Sequence, residues 1–260
     1  MTTAIEVRNV SKEFSLHYHK TLKKMMTAKL RGQTTSEEFW ALQDVSFDVR
    51  QGESIGLMGL NGSGKSTLLK MIMGVMKPNE GTIRTRGRVS GLIATGAGFH
   101  PEMTGIENIY MNAAILGMSK EETDAKFDDI AAFADIGKFL DSPVGQYSSG
   151  MNARLGFAVA VNVDCDIFIA DEVLAVGDQP FKKKCMAKME EVRESGVTMF
   201  YVSHSAQSVQ RMCERVLILE QGKLGFDGDV DEGIHYLHYD EDEDDMAHGP
   251  TGEASFGADI

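Results

Sequence analysis

The chain has 260 residues, enough for one large domain or two small ones with a buried core, which excludes a small scaffold held together by disulfides. Apolar residues make up 42% of it and charged residues 25%, as in ordinary globular proteins. The formal net charge is -13, but 12 of the 39 acidic residues follow Lys223, which is the last of the 26 Lys and Arg. The preceding part is close to neutral and lacks the basic excess of a nucleic-acid-binding protein, so we expect no nucleic-acid partner.

Cysteine usage and hydropathy indicate the setting of the protein. Cys165, Cys185 and Cys213 form no C-x-x-C pair, which argues against a disulfide framework or a zinc site. The first ten residues lack the apolar segment of a secretion signal, and no apolar run is long enough to cross a membrane. We therefore expect a reducing cytosol, with any membrane role being peripheral or through a partner.

The predicted elements begin with two strands, residues 4–10 and 45–49, in which apolar and polar residues alternate. Between them, residues 16–39 form an insertion. Its part from 17 to 31 carries five Lys or Arg and no acid, and its Leu and Met residues are spaced to share one face of a helix. This segment is either a basic amphipathic helix on a membrane surface or membrane partner, or an ordinary surface helix packed on the body of the protein.

The later segments alternate between apolar runs typical of strands and stretches with helical spacing. The predicted strands are at 54–59, 82–93 (two strands), 167–171, 198–203 and 215–223, and the predicted helices are at about 66–76, 105–140 and 181–194. This alternation predicts an α/β fold with a mostly parallel sheet, interrupted by an all-helical insertion at about 105–150. Residues 239–260 are acidic and poor in apolar residues, and we expect a disordered tail there.

A glycine-rich segment at residues 59–66 fits the phosphate-binding pattern G-x-x-x-x-G-K-[ST]. Its glycines allow the backbone to curl around a phosphate with N–H groups pointing inward, and the following helix adds the positive end of its dipole. Lys65 supplies a charge for the β- and γ-phosphate oxygens, and the Ser66 hydroxyl is a ligand for Mg²⁺. The candidate phosphate-binding residues are Gly59, Leu60, Asn61, Gly62, Ser63, Gly64, Lys65, Ser66 and Thr67.

Two adjacent acids, Asp171 and Glu172, follow the apolar run 167–170. A phosphate site needs one carboxylate to hold the metal and a second group to position water. We predict that Asp171 holds Mg²⁺, directly or through water, and that Glu172 orients or deprotonates the attacking water.

From these motifs, the chain resembles the nucleotide-binding subunit of an ABC transporter over roughly residues 4–238. The resemblance implies ATP and Mg²⁺ as cofactors and an ABC ATPase domain over 1–238, with a P-loop NTPase core, an antiparallel β subdomain and the helical insertion. Residues 147–151, Tyr-Ser-Ser-Gly-Met, stand in the place of the family signature Leu-Ser-Gly-Gly-Gln. Ser148 and Gly150 would face the γ-phosphate held by a second copy, so a homodimer is implied as well.

Three further positions take their roles from the same resemblance. Asp178 matches an aspartate at the dimer interface, His204 a histidine that contacts the γ-phosphate, and Phe14 an aromatic residue that stacks on adenine. In the signature segment, Ser149 replaces the first glycine and Met151 replaces the glutamine. The sequence also departs from the family around Ala94, where the family glutamine that contacts Mg²⁺ is missing, and what replaces this glutamine is left open.

Segments 96–109 and 171–178, together with the basic insertion, are similar to the ATPases of bacterial polysaccharide exporters. This resemblance implies an ATP-hydrolysing subunit at the cytoplasmic face of the bacterial membrane that moves a lipid-linked polysaccharide, O-antigen- or galactan-like, outward. Its partners would be two copies of a permease, docked on the loop around 96–105 and the helical insertion, and the membrane surface through residues 17–31. Teichoic acid or capsule is the alternative cargo, and a soluble ABC ATPase acting on nucleic acid or ribosomes is the alternative class.

Overall fold

The structure is a computed structural model, and it describes residues 2–17, 36–92, 98–171, 178–203 and 205–237. The described ranges include the phosphate-binding segment, Asp171 and the signature segment. The features that lie outside them are the basic segment from 18 to 31, the segment around Ala94, Glu172, His204 and the acidic tail at 239–260.

An antiparallel sheet is built from β1 (Thr3–His17), β2 (Ser36–Arg50) and β4 (Glu80–Thr85), in the order β2-β1-β4. β1 and β2 are longer than predicted, and their pairing continues to His17 and Ser36. The outer ends of the insertion predicted at 16–39 are therefore strand, and no helix begins at residue 17. This extra pairing consists of backbone hydrogen bonds between the strands, which the alternation of apolar and polar residues does not predict.

The central sheet has six strands in the order β5-β6-β7-β3-β8-β9. They are β3 (Ser54–Met58), β5 (Val89–Leu92), β6 (Ile167–Ala170), β7 (Thr198–Val202), β8 (Arg215–Glu220) and β9 (Lys223–Asp229). Every neighbouring pair is parallel except β8 with β9, which confirms the predicted α/β core. Because β6, β7 and β3 are neighbours running the same way, their carboxyl ends meet at one edge of the sheet.

One face of the central sheet packs against the antiparallel sheet and α1 (Lys65–Ile72). The core between them contains side chains from all three, among them Leu42, Ile55 and Leu69, each fully buried. α1 is shorter than the helix predicted at 66–76. It ends just before Gly74, whose φ of 74° reverses the chain, as glycine commonly does after a helix.

The helical insertion predicted at about 105–150 contains α2 (Gly105–Ile115), α3 (Lys120–Ala134) and two short 3₁₀ helices at Gly137–Asp141 and Val144–Gln146. It extends farther than predicted, because α4 (Ser149–Val161) begins where the predicted range ends. α2 and α3 both begin with a capping box, in which a Ser or Thr and the Glu three residues later satisfy each other's backbone N–H groups. The three helices bury an apolar core of their own around Ile109, Ile130 and Leu155. The insertion is therefore a separate packing unit attached to the sheet.

The other face of the central sheet is covered by α5 (Gln179–Glu194), α6 (Ala206–Met212) and α7 (Val230–Tyr236). α5 starts two residues earlier than predicted, because Asp178 caps it and Pro180 is tolerated in its first turn. The sequence does not predict α6 and α7, since seven residues give too few turns for a periodic pattern.

Candidate nucleotide site

The loop between β3 and α1 owes its shape to three glycines. Gly59, Gly62 and Gly64 have φ values of 134°, 84° and 107°, which side chains rarely tolerate. A β-carbon at Gly64 would lie 2.5 Å from the carbonyl oxygen of Ala41, and one at Gly59 would lie 2.2 Å from that of Leu219. The loop therefore has no room for a side chain at Gly59 and Gly64, where its backbone approaches the neighbouring strands.

Two neighbouring segments hold this loop in place. The turn between β8 and β9 donates from Gly222 N to Ser63 O at 3.1 Å, and Gly222 O accepts from Gln43 N of β2 at 2.7 Å. On β2 itself, the pairing with β1 shifts by one residue between Leu42 and Trp40, which leaves Ala41 as a bulge against Gly64. The loop is thus tied to both sheets.

Lys65 is the first residue of α1, and its ammonium group turns back into the loop. Lys65 Nζ donates to Gly59 O at 2.6 Å and to Leu60 O at 3.1 Å, and the residue is buried with 9% exposed. A buried ammonium group at a helix N-terminus, ringed by backbone, is a site where an anion is stabilised. The carbonyl partners are the groups that a phosphate oxygen would replace.

A cleft of about 320 Å³ brings most of the predicted site together. Phe14, Asn61, Gly62, Ser63, Gly64, Lys65, Ser66, Thr67 and Asp171 all line it, with Phe39 and Ala41. Gly59 and Leu60 do not line this cleft: Gly59 lies beneath the loop and accepts from Lys65, while Leu60 faces outward with 73% exposed. Leu60 instead borders a neighbouring cavity of about 760 Å³, between the loop and the β8–β9 hairpin.

Asp171 reaches the cleft because it directly follows β6, which is separated from β3 only by β7. The carboxyl ends of these strands meet at one edge, so an acid after β6 lies opposite the loop after β3. A hydroxyl oxygen on Ser66 and a carboxylate on Asp171, in one cleft, are the hard ligands that Mg²⁺ prefers, and the donor set fits that ion. Glu172 and His204 are outside the described residues.

Phe39 is a cleft residue that the sequence reasoning missed. It pairs directly across the strands with Phe14, so both rings lie on one face of the antiparallel sheet, and 49% of Phe39 is exposed. Lys12 Nζ lies 5.6 Å from the centre of the Phe14 ring. The sequence alone does not indicate this pair, because more than twenty residues separate the two aromatics in the chain. Only the register of β1 with β2 brings them together.

The signature segment lies elsewhere, at the start of α4. Ser148 caps this helix through its Oγ, which accepts from Met151 N at 3.2 Å, and it is exposed. A β-carbon at Gly150 would meet only Ser148 Oγ, at 3.8 Å, among the described atoms within 4 Å. Neither Ser148 nor Gly150 lines the cleft, so the same chain does not bring them to Lys65.

Asp178 does not line the cleft either. It caps α5 by accepting from Phe181 N at 3.2 Å, and it accepts from Arg154 Nη2 of α4 at 2.9 Å. Its side chain is 57% exposed. The structure thus places Asp178 at a junction between the insertion and the core.

Residues 42–175 match the family profile described as "ABC transporter". The chain belongs to the ABC transporter family. The segment that defines the family here runs from just before the phosphate-binding loop to just after Asp171, and so contains all the cleft residues except those on β1 and the start of β2.

Several members of the family are similar over most of this chain. The ABC transporter protein AbcA of Aeromonas salmonicida is 49% identical over 200 residues, which cover 77% of this chain and 65% of AbcA. The O-antigen export system ATP-binding protein RfbB of Klebsiella pneumoniae is 42% identical, over 86% of this chain and 93% of RfbB. The teichoic acids export ATP-binding protein TagH of Bacillus anthracis is 43% identical, over 93% of this chain but only 43% of TagH. The chain is thus an ABC ATPase of the polysaccharide-exporter subfamily, as the sequence predicted.

Solved structures agree on the fold. The ATP-binding cassette MJ0796, in a dimeric structure bound to ADP and Pi, superimposes with a TM-score of 0.69 at 22% identity, over 87% of this chain and 98% of that one. An ATP-binding subunit of an ABC transporter gives a TM-score of 0.71 at 23% identity, over 94% of this chain and all of that one. The predicted ABC ATPase fold is confirmed, and the family binds ATP. Within the described residues, no helix is long and apolar enough to cross a membrane.

Proposed function

We propose that this chain is the ATP-hydrolysing motor of an exporter that moves a lipid-linked polysaccharide across the bacterial cytoplasmic membrane. The observation that carries the proposal is the cleft in which Phe14, Lys65, Ser66 and Asp171 meet. An aromatic surface, a buried ammonium group and two oxygen ligands are the groups that a nucleoside triphosphate with its metal requires.

Within one chain, the cleft residues bind the nucleotide. Phe14 and Phe39 present ring faces to the adenine, and the N–H groups of the loop bind the phosphates. Lys65 exchanges its bonds to Gly59 O and Leu60 O for the β- and γ-phosphate oxygens.

Ser66 and Asp171 would hold Mg²⁺, which when bound neutralises the charge that develops on the phosphate oxygens. Glu172 follows Asp171 directly and accepts a proton from the attacking water. His204 follows β7, the strand between β6 and β3, and contacts the γ-phosphate. Each of these side chains then has one task in the reaction.

A second copy of the chain completes the site. Ser148 and Gly150 stand at an exposed helix N-terminus, where free N–H groups and a hydroxyl suit an anion, yet they do not line the cleft of their own chain. We assign them to the γ-phosphate held by the other copy, with Asp178 close to the contact. Two chains then enclose two ATP molecules, and hydrolysis lets them separate.

The helical insertion is the docking surface for the permease. Three large apolar side chains are exposed on it or on the loop before it: Met103, Ile115 and Phe139, with 37%, 62% and 44% exposed. The loop before α2 lies against Ile115, since a β-carbon at Gly98 would be 3.3 Å from Ile115 Cδ1. Two permease copies would each receive one insertion, and residues 17–31 would contact the membrane surface, with the chain at its cytoplasmic face.

The cargo we propose is an O-antigen- or galactan-like polysaccharide on a lipid carrier, in keeping with the RfbB relative. The TagH relatives favour a second candidate, a teichoic acid, at similar identity. Deleting the gene in its native host and analysing the lipid-linked glycan retained inside the cell separates them. A glycan rich in phosphodiesters indicates teichoic acid, and one made of sugar repeats indicates polysaccharide.

Glu172→Gln tests the catalytic assignment. We expect ATP turnover to fall about a thousandfold, because a general base is removed, while ATP binding and its dependence on Lys65 remain. Steady-state phosphate release and equilibrium binding of labelled ATP measure the two properties separately. Wild-type turnover by Glu172→Gln would refute the assignment of the base.

A further inference from the structure

Lys12 stands beside Phe14 on β1 but does not belong to the nucleotide cleft. The two residues are two positions apart on one strand, so their side chains leave the same face of the sheet. Lys12 Nζ lies 5.6 Å from the centre of the Phe14 ring, within the range of a cation–π contact. Phe14 lines the cleft and Lys12 does not, so the ammonium group contacts the ring without forming part of the cleft wall.

Hydrogen bonds fix the position of this ammonium group. Lys12 Nζ donates at 2.9 Å to the carbonyl oxygen of Lys77, in the segment that follows α1. The same segment is bonded to both neighbours of Lys12 on β1. Asn79 N donates to Ser11 O at 2.9 Å, and Asn79 Oδ1 accepts from Glu13 N at 3.3 Å. The strand is therefore held to the end of α1 at Lys12 and on both sides of it.

These three hydrogen bonds connect the two ends of the nucleotide site. α1 begins at Lys65, in the phosphate-binding loop, and the segment after α1 holds the strand that carries Phe14. The position of the Phe14 ring relative to the phosphate-binding loop therefore depends on the contacts of Lys12 and its neighbours.

The charge of Lys12 also changes the surface that Phe14 offers to a base. A cation over one face of an aromatic ring attracts the π electrons of that ring. The opposite face becomes less negative, so it repels the π electrons of a stacked base less strongly. Lys12 therefore makes Phe14 a better stacking partner for adenine.

We propose that Lys12 is a positioning residue for the base of the nucleotide. Its ammonium group holds the Phe14 ring in the orientation that stacks on adenine and polarises the ring for that contact. Lys12 acts through Phe14 and does not touch the nucleotide. The inference rests on the proposed function, because it requires that Phe14 contacts the base.

Two other roles for Lys12 predict different results. A lysine that attracted the phosphates directly would strengthen the binding of every polyphosphate, with or without a base. A lysine that only stabilised β1 would change the free energy of unfolding, and the two ligands would be affected alike. The property to measure is therefore the affinity for ATP relative to the affinity for inorganic tripolyphosphate, which has no base.

Lys12→Met removes the charge and keeps a long apolar side chain. We expect the Kd for ATP to rise about tenfold, because the stacking of Phe14 on the base is weakened. The Kd for tripolyphosphate should stay within about twofold of the wild-type value. Lys12→Arg keeps a cation that stacks on aromatic rings and should bind both ligands within about twofold of the wild type. Calorimetric titration of the full chain, in the Glu172→Gln background that prevents turnover, measures both affinities.

A double-variant cycle tests whether Lys12 acts through Phe14. Phe14→Ala alone should raise the Kd for ATP roughly 20-fold, because the stacking on the base is lost. Lys12→Met/Phe14→Ala should bind ATP no more weakly than Phe14→Ala, since the ring through which Lys12 acts is absent. Lys70→Met is the matched control for charge. Lys70 is an exposed lysine of α1 that does not line the cleft, so both affinities should equal those of the wild type.

The inference is overturned if Lys12→Met binds ATP within about twofold of the wild type, or if it loses tripolyphosphate binding to the same extent as ATP binding. It is also overturned if Lys12→Arg binds ATP as weakly as Lys12→Met, or if the double variant binds more weakly than Phe14→Ala. Failure of the proposed function looks different, because Phe14→Ala would then bind ATP as tightly as the wild type. Weak ATP binding by Phe14→Ala together with normal binding by Lys12→Met would refute only the role of Lys12.

Discussion

The N-termini of α1 and α4 are both assigned to phosphate, yet they are built in opposite ways. α1 follows Gly64, which has φ of 107° and gives no side-chain cap among the described residues, so the first N–H groups of the helix are left to a ligand. α4 follows Ser148, whose hydroxyl already satisfies one of those groups. The first helix end is enclosed by two sheets, and the second is exposed.

Under the proposed function, the end of α1 belongs to the part of the site that one chain forms by itself, and the end of α4 belongs to the part that the second copy adds. Around α1, one chain supplies the loop, the ammonium group, the aromatic pair and Asp171, so we expect a single chain to bind nucleotide. Around α4, one chain supplies only a capped helix end with open space above Gly150. Under the proposed function, the anion that binds there belongs to the nucleotide of the other copy, so we expect binding and hydrolysis to depend on different sets of residues.

Gly64→Ala should produce the largest effect on ATP binding. Its β-carbon would lie 2.5 Å from Ala41 O and 2.7 Å from Leu42 Cδ2, so the loop must leave β2. We expect the affinity for ATP to fall about 100-fold, the equivalent of about 3 kcal/mol. Equilibrium dialysis with labelled ATP gives the affinity.

Gly74→Ala is the control for backbone strain alone. Gly74 has φ of 74°, but a β-carbon there would meet no other described atom within 4 Å. We expect this variant to unfold more easily by about 1 kcal/mol while binding ATP normally. Normal ATP binding by Gly64→Ala would contradict the argument that the loop needs close approach to β2.

Ser148→Arg should slow hydrolysis strongly and spare binding. A cation of this size at the start of α4 removes the cap and blocks the approach of a second copy, so we expect turnover to fall about 100-fold, as when a transition-state hydrogen-bond donor is lost. ATP binding to the single chain should be unchanged. Phosphate release measures the turnover. Light scattering with ATP, in the Glu172→Gln background, measures how much dimer forms.

Ser119→Arg is the matched control for this change. Ser119 is also an exposed N-cap, accepting from Glu122 N at the start of α3, and it has no role at a nucleotide. Its loss should cost about 1 kcal/mol of stability and leave turnover unchanged. If Ser148→Arg hydrolyses ATP as fast as Ser119→Arg, the assignment of α4 to the other copy is wrong.

Contiguous patterns could be predicted from the sequence, and pairings between distant segments could not. The loop, Asp171 and the central strands were predictable, because glycines, a lysine and an acid after apolar runs are contiguous patterns with a local physical cause. The ends of β1 and β2, and with them Phe39, were not, since their pairing depends on hydrogen bonds between segments far apart in the chain. The partners of Arg154 were invisible for the same reason.

Phe39→Ala should have the smallest effect, and it tests the part of the site that one chain forms by itself. Phe39 is half exposed beside Phe14, so its stacking on a base is worth about 1 kcal/mol, and we expect the Kd for ATP to rise roughly fivefold. Binding of inorganic tripolyphosphate should not change, because it has no base. Calorimetric titration with both ligands measures the two affinities.

Trp40→Ala is the control, since Trp40 is the next residue on β2, is 38% exposed and does not line the cleft. Alternate residues of a strand face opposite sides, so its removal should leave both affinities unchanged. An equal loss from Trp40→Ala would mean that the strand itself, rather than one face of it, positions the base. A loss of tripolyphosphate binding in Phe39→Ala would mean that the ring supports the loop, and the aromatic pair would then belong to the scaffold instead of the base site.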